Sequence, residues 1–581
     1  MTNRDIENAL NTIESLLELH GENGFKSRAY GRAGRAIRAS GIDVAEKVEA
    51  GEPLEIDGIG KGLEAEIAEI VQRGSSTQLD QLLHQTPNGL LDILEIRGLG
   101  AKKVRALWKE LGIDALDLLE AKARSNEIAA LKGFGKKSQE NILDGIAEVK
   151  SRIGKMRLHT ATVIADEIVV ALRGSALVER VEIAGRLRRG GEEFGAIELV
   201  VALKDEGDAG NLVTEMEAGE TLSDLAQRDG VIRGKYDGLY TVLIHTTSVA
   251  QFPVALHQKS GASDYRFMVS IPLHDRGYEL TDEALLKEGK PVALTSEDEL
   301  FALAGMDVIP PELREGIDEV RAALDHRIPT LVEQSELRGL LHIHSVWSDG
   351  QNTIEELAAA ASGLGYGYLL MCDHSKLAFY ANGLDEKRLE AQGKEIDEIN
   401  KRYDPSTFRI LKGIECDIHG DGTLDLADDA LAALDAVVVS VHSQFALEKE
   451  AQTDRVCRAL DNPYTSILAH PTGRLILTRK GYPIDLKRVI THAAERGVAV
   501  ELNANPHRLD LDWRMVRYAK RKGVKVAIDP DAHSIGDFDY VKYGVRMGRK
   551  GWLERGDVLN TLSVDDFLAE VGRRRATPAL S

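Results

Sequence analysis

Leu341-His342-Ile343-His344, followed closely by Trp347-Ser348-Asp349-Gly350, is the stretch on which the reading of this sequence turns. Side chains alternate across a strand with period two, so His-x-His puts both imidazoles on one face, where they can share one ion. Outward from it, after Arg338-Gly339, short apolar strands alternate with helical segments: Leu340 to His344, Tyr368 to Cys372, Val437 to Val441, Val498 to Leu502 and Val524 to Ile528. That rhythm predicts a barrel-like β/α domain over 338–581, with its chemistry at the carboxyl ends of the strands. Ligand-type residues stand at those ends in chain order. They are His374 in Cys372-Asp373-His374-Ser375, Glu415 in Gly413-Ile414-Glu415-Cys416-Asp417, His442 in Ser440-Val441-His442-Ser443, His470 before Pro471, and Asp531-Ala532-His533-Ser534. One histidine among the 16 of this chain says little, but a series at successive strand ends describes a site.

Mixed nitrogen and oxygen donors without thiolates accept Zn²⁺, Mn²⁺ or Fe²⁺ rather than selecting one. Asp373 is a candidate to accept a hydrogen bond from a ligand imidazole. Cys372 and Cys416 adjoin candidate ligands, so alternation turns them to the opposite face, into packing. Arg508 and Lys376 are candidates for gripping a substrate phosphate, with a solvated charge as the alternative for each.

The 581 residues suggest about four domains at ~150 residues each. Lys plus Arg number 73 against 94 Asp plus Glu, a net charge of −21, which argues against indiscriminate coating of nucleic acid but leaves room for local basic surfaces. The 3 cysteines lack C-x-x-C spacing, so neither a disulfide framework nor a thiolate zinc site is expected. No apolar stretch approaches the ~18 residues of a membrane span, and Met1-Thr2-Asn3-Arg4-Asp5 is no export signal. The expectation is a cytoplasmic monomer.

Residues 1–155 read as helices joined by glycine turns, with Ile6, Leu10, Ile13, Leu16 and Leu17 at helical spacing on the first. One pattern recurs there: Ile56-Asp57-Gly58-Ile59-Gly60-Lys61, Ile96-Arg97-Gly98-Leu99-Gly100-Ala101-Lys102 and Leu131-Lys132-Gly133-Phe134-Gly135-Lys136-Lys137. Such a hairpin brings backbone close to a phosphate and aims N–H groups at it from the start of the next helix. Gly58, Gly60, Lys61, Gly98, Gly100, Lys102, Gly133, Gly135 and Lys136 are the candidate DNA contacts, independent of base sequence. These segments resemble helix-hairpin-helix motifs. Lys26, Arg28, Arg32, Arg35 and Arg38 gather beside Tyr30 on a second helix, as a nucleic-acid surface or as a solvated face.

Between them, 156–320 mixes helices with strands such as Ala196 to Leu203 and Leu239 to His245, and 321–337 reads as a linker. Gly185-Arg186-Leu187-Arg188-Arg189-Gly190-Gly191-Glu192-Glu193-Phe194-Gly195-Ala196-Ile197-Glu198 resembles the nucleotide-binding segment of family X DNA polymerases, and Pro310-Pro311-Glu312-Leu313-Arg314-Glu315 the end of their thumb. With the hairpins before and the β/α domain after, the whole chain resembles bacterial family X polymerases fused to a PHP (polymerase and histidinol phosphatase) domain. The fold this implies is multidomain: an all-α helix-hairpin-helix region, an α+β nucleotidyltransferase-like palm and thumb, and a PHP barrel.

The resemblance also implies roles. The PHP ligands would hold three ions: one by His342, His344, Glu415 and Asp531, a second by Glu415, His442 and His470, a third by Asp349, His374 and His533. A hydroxide positioned by Glu415, His442 and His470 would attack phosphorus. In the polymerase, Arg186 replaces the family's serine, Ala196 and Glu198 stand at two of the aspartate positions, and Val242 or Leu243 at the third. One carboxylate cannot assemble a two-ion Mg²⁺ site, so Arg189, Ala196, Glu198 and Leu243 mark a degenerate centre with weak or absent synthesis. Glu66 stands where the family's lyase has its lysine. Leu340 precedes the first His-x-His leucine where aspartate is common. The expected function is a DNA-repair 3′–5′ exonuclease acting on gapped or 3′-ended duplex. The alternatives are an active gap-filling polymerase with a proofreading nuclease, and a small-molecule phosphomonoesterase of the histidinol-phosphatase type.

Overall fold

The computed structural model describes residues 1–573 apart from 2, 41 and 220. The chain forms two compact units, Met1–Ile153 and Gly154–Ser581. The first is helical, as its periodicity predicts: Ile6, Leu10, Ile13, Leu16 and Leu17 of helix Asn3–His20 are completely buried. The glycine repeats take one shape three times. Gly58, Gly98 and Gly133 have φ of 84°, 87° and 91°, a conformation that disfavours side chains. In each copy the residue before the second glycine donates its N–H to the apolar residue that opens the motif: Ile59 to Ile56 at 3.1 Å, Leu99 to Ile96 at 2.9 Å and Phe134 to Leu131 at 3.0 Å. Helices Lys61–Arg73, Ala101–Leu111 and Lys136–Lys150 start there with no side chain capping their first N–H groups. Glu66 accepts from Tyr30 Oη at 2.7 Å and Ser76 Oγ at 2.8 Å, a structural use of the position where a lyase would need lysine.

In the second unit the palm sheet runs Val178–Ile183, Ala196–Leu203, Tyr240–Ser248, Val231–Tyr236, Ser223–Arg228, with a parallel pair at its centre. The thumb follows with helices Phe252–Ser260, Ser263–His274 and Glu297–Ala304 around its own core. Residues 321–337 are folded rather than loose: Val332 is completely buried, and its N–H bonds Leu553 O at 2.9 Å.

The last part is the expected parallel β/α barrel. Strands Gly339–Ile343, Tyr368–Met371 and Arg409–Lys412 form one sheet, and Glu415–Asp417, Val437–Ser440, Thr465–Leu468, Ala499–Asn503 and Val526–Asp529 the other. Bridges His374–Glu415 and Ile343–Ala532 join the two sheets at both seams. One chain segment crosses the first seam, bending at Gly413, where a Cβ would lie 2.5 Å from Met371 O. Seven of these eight strands are buried at every position and Arg409–Lys412 at its two central ones, as a parallel sheet covered by helices requires.

Palm and barrel are tied together through the family's nucleotide-binding turn. Helix Val541–Lys550 sends Arg546 to the carbonyls of Leu187 and Arg188, and Lys550 to that of Arg189 at 2.9 Å. Arg474 of the barrel reaches Glu192 at 2.8 Å, and Arg157 reaches Ile476 O at 2.9 Å.

Candidate metal centre

The sequence-predicted ligands converge at the carboxyl end of the barrel, around Glu415. Its side chain, 1% exposed, lies 3.5 Å from His342 Nε2, 2.8 Å from His374 Nδ1, 3.3 Å from His442 Nε2 and 2.9 Å from His470 Nε2. Asp531 stands 3.3 Å from His344 Nε2 and 3.8 Å from His342 Nε2. Asp349 lies 3.5 Å from His374 Nε2 and 3.4 Å from His533 Nε2. Three overlapping groups have donors within 4.8 Å of one another: His344, Asp349, His374 and His533; His342, His344 and Glu415; and His374, Glu415 and His442. His344 and His374 therefore each stand in two groups, a sharing that spacing along the chain does not show. His470 reaches Glu415 but falls outside these groups.

The backbone is strained where it delivers ligands. His342, His470 and Asp531 have φ of 57°, 25° and 50°, a region such residues rarely adopt and one that persists where surrounding structure imposes it. The pairing of strand Gly339–Ile343 shifts between Leu340 and Ile343, so regular alternation alone does not aim His342 and His344.

Whether these residues fit a cation is answered by their unsatisfied atoms. His342 Nε2, both ring nitrogens of His344, His374 Nδ1 and Glu415 Oε2 are buried and accept or donate no hydrogen bond. His374 Nδ1 and Glu415 Oε2 approach to 2.8 Å without hydrogen-bond geometry. A buried unpartnered polar atom costs about 1–3 kcal/mol, and a cluster of them is what a divalent ion relieves. Burial, then the neighbouring His533 and His374, lowers the His344 imidazole to about 3, which keeps it in the neutral form that ligates. Burial also opposes charge on His442, but Glu415 and Asp417 outweigh it and raise the ring to about 10.

Residues beneath the ligands were partly missed by the sequence reading. Buried Glu501 takes Nδ1 of His342 at 2.5 Å and stands beside Asp529, forming a fourth ligand-type group with them. It supplies the support that Leu340, buried in the apolar core, cannot. The signal was available: one carboxylate inside Val498-Ala499-Val500-Glu501-Leu502. Asp373 touches no imidazole, contrary to expectation. It accepts from Ser345 N at 2.8 Å and Oγ at 2.7 Å, from Ser348 N at 3.2 Å and Oγ at 2.5 Å, and from Gln392 Nε2 at 2.5 Å. It thereby fixes the turn that carries Asp349, because its strand end faces that turn. Arg508 Nε lies 3.3 Å from Asp531, at the centre, whereas Lys376 pairs with Glu386 at 2.6 Å. Cys372 and Cys416 are buried free thiols, packed as alternation predicts.

The polymerase centre shows the opposite picture. Register places Leu243 beside Glu198 and Thr241 beside Ala196, while completely buried Val242 faces the core. On this register Leu243, and not Val242, is the neighbour of Glu198. Glu198 lies 3.3 Å from His245 Nε2. The arginines of the turn are engaged elsewhere: Arg188 with Glu297 at 2.5 Å, Arg189 with Glu315 at 3.0 Å and with Ser260 O at 2.7 Å.

A barrel with ligand-type residues at its strand ends, behind a palm, a thumb and glycine hairpins, defines a PHP phosphoesterase fused to a family X polymerase frame. Family models agree part by part: a helix-hairpin-helix domain over residues 1–76, a DNA polymerase beta thumb over 255–315 and a PHP domain over 341–505. A relative from Bacillus subtilis (strain 168), named DNA polymerase/3′-5′ exonuclease PolX, is 36% identical over 575 residues, covering 99% of this chain and 100% of the relative. The chain belongs to the PolX family. A protein of Thermoanaerobacter sp. (strain X514) named Probable phosphatase is 28% identical over 247 residues, 40% of this chain and 95% of that relative. One so named from Acetivibrio thermocellus is 30% identical over 215 residues, 34% of this chain and 82% of that relative.

Proposed function

We propose that this chain is a metal-dependent 3′–5′ exonuclease and 3′-end phosphoesterase of DNA repair, with polymerase activity weak or absent. The observation that carries the reading is the Glu415 cluster, with its unsatisfied imidazole and carboxylate atoms at the barrel mouth. His342, His344, Asp349, His374, Glu415, His442, His470, Asp531 and His533 would hold up to three ions, Mn²⁺, Zn²⁺ or Fe²⁺. When bound, such ions activate water near neutral pH and offset charge on the phosphate oxygens.

The protein's own groups do the rest. Glu501 fixes the His342 ring, Asp373 fixes the turn bearing Asp349, and Arg508 beside Asp531 offers a cation to a phosphate. The three hairpins, with Lys61, Lys102 and Lys136, hold the DNA backbone without reading bases. Against synthesis stand Ala196 and Leu243 at acidic places, and the engagement of Arg188 and Arg189 in ion pairs.

The test removes metal with a chelator and restores Mn²⁺, using a 5′-labelled gapped duplex and full-length protein. Stepwise shortening with release of nucleoside monophosphates, only after Mn²⁺ returns, is the expected result. Equal turnover of free phosphomonoesters and DNA ends would instead favour a phosphatase, the second reading suggested by the relatives named Probable phosphatase.

A further inference from the structure

Immediately beyond His374 the chain makes a short turn, Phe379–Ala381, before helix Glu386–Asn400. Its composition is inverted relative to an ordinary surface turn. Ala378 and Ala381 are buried, while Phe379 is 86% exposed and Tyr380 64% exposed. Among the described residues no large apolar side chain is more exposed than Phe379. A solitary exposed hydrophobe needs no explanation, but two adjacent aromatic rings beside a polar centre are a different matter.

The turn is held rigidly. Leu384 N bonds His374 O at 2.7 Å, Leu377 N bonds Asp425 at 2.7 Å, and Gly383 N bonds Ala378 O at 3.2 Å. Arg388 grips Asn382 O at 2.6 Å and Gly383 O at 3.0 Å, and Asn382 Nδ2 reaches Trp347 O at 3.2 Å. At Gly383 a side chain would strike Ser375 O at 1.9 Å. Both aromatics are therefore presented on a fixed base.

The position names the occupant. The Tyr380 ring lies 6.5 Å from the ring of His374, a residue of the ligand cluster, so Tyr380 borders the centre with Phe379 beside it. Phe379 and Tyr380 stand 6.0 Å apart at 78°, forming a corner. A flat group lying on one ring meets the other with its edge, the arrangement aromatic quadrupoles favour. A nucleotide whose phosphate is at the centre carries a flat group of that kind, and every base has a face to stack whatever its sequence.

We infer that Phe379 and Tyr380 form a stacking subsite for the unpaired 3′-terminal base of a DNA strand. The inference rests on the proposed nuclease reading and deepens it: the terminal nucleotide is unpaired before it is cut, and its base is held without regard to identity.

The test uses full-length protein with Mn²⁺ and 5′-labelled single strands ending in an ordinary nucleotide, an abasic tetrahydrofuran or 2-aminopurine. Phe379→Ala and Tyr380→Ala each raise KM for the ordinary end about 5- to 100-fold with little change in kcat. Tyr380→Phe keeps the ring and behaves as the parent, and none of the variants alters KM for the abasic end. Quenching of the 3′-terminal 2-aminopurine is read in a His344→Ala background, so the stack is scored whether or not the chain cuts DNA. Unchanged KM and quenching in both alanine variants, or an equal KM rise on the abasic end, overturns the inference. A parent protein that quenches the base yet releases no nucleotide would retain the stack and refute the nuclease reading.

Discussion

Glu297→Gln measures how firmly one buried carboxylate ties the palm to the thumb. The Glu297 carboxylate, with its side chain 10% exposed, joins Arg188 of the palm turn at 2.5 Å to Arg314 of the thumb at 2.6 Å, and the Arg314 side chain is only 2% exposed. Burial alone would raise this carboxyl, but Arg314 and then Arg188 outweigh it and lower it from 4.5 to about 2. That difference is worth about 3 kcal/mol of folding free energy. Because the folded-state value is depressed, the contribution is fully present above about pH 4.5 and is lost as pH falls through about 2. Glutamine removes it and leaves Arg314 buried without its counter-charge, so at pH 7 the variant is less stable by about 3–5 kcal/mol. Urea unfolding of both proteins, followed by tryptophan fluorescence, is the assay, and at pH 3 the gap attributable to ionisation narrows to about half. An unchanged unfolding midpoint at pH 7 would show that the arginines are not anchored as described.

Three further outcomes follow from the same structure. Glu501→Gln loosens the His342 ring and lowers Mn²⁺ affinity about 10- to 100-fold in chelator competition, whereas unchanged affinity would mean the ring is held by other means. Arg508→Ala raises KM for DNA ends while Lys376→Ala does not, because only Arg508 faces the centre; equal effects would reject that distinction. Replacing Lys61, Lys102 and Lys136 together by alanine reduces the slope of log affinity against log salt by about 3, and a slope equal to the parent's removes the hairpins from the DNA interface.

The barrel and its ligands were legible because period-two strands and their polar ends are written in adjacent residues. His342 and His344 announce one strand, and His374, His442, His470 and the Asp531/His533 pair each follow the end of another. Which donors cluster was not legible: His344 shares a group with Asp349, His374 and His533 because the closed barrel, not the chain order, sets those distances. Glu501 was hidden inside an apolar strand, and its role appears only when strand Ala499–Asn503 comes to lie beneath His342. Asp373 was assigned to an imidazole by proximity in sequence, yet three other residues claim its oxygens from across the fold. The choice between Val242 and Leu243 likewise needed register, since one slip exchanges the faces of a strand.

The central claim is that hydrolysis at the barrel, and not synthesis at the palm, is the chemistry of this chain. A 5′-labelled primer on a gapped template, with Mn²⁺ and all four deoxynucleoside triphosphates, tests it in one gel of parent, His344→Ala and Glu198→Ala proteins. The account predicts primer shortening that His344→Ala abolishes and Glu198→Ala leaves intact. Primer lengthening that survives His344→Ala and disappears with Glu198→Ala would contradict it.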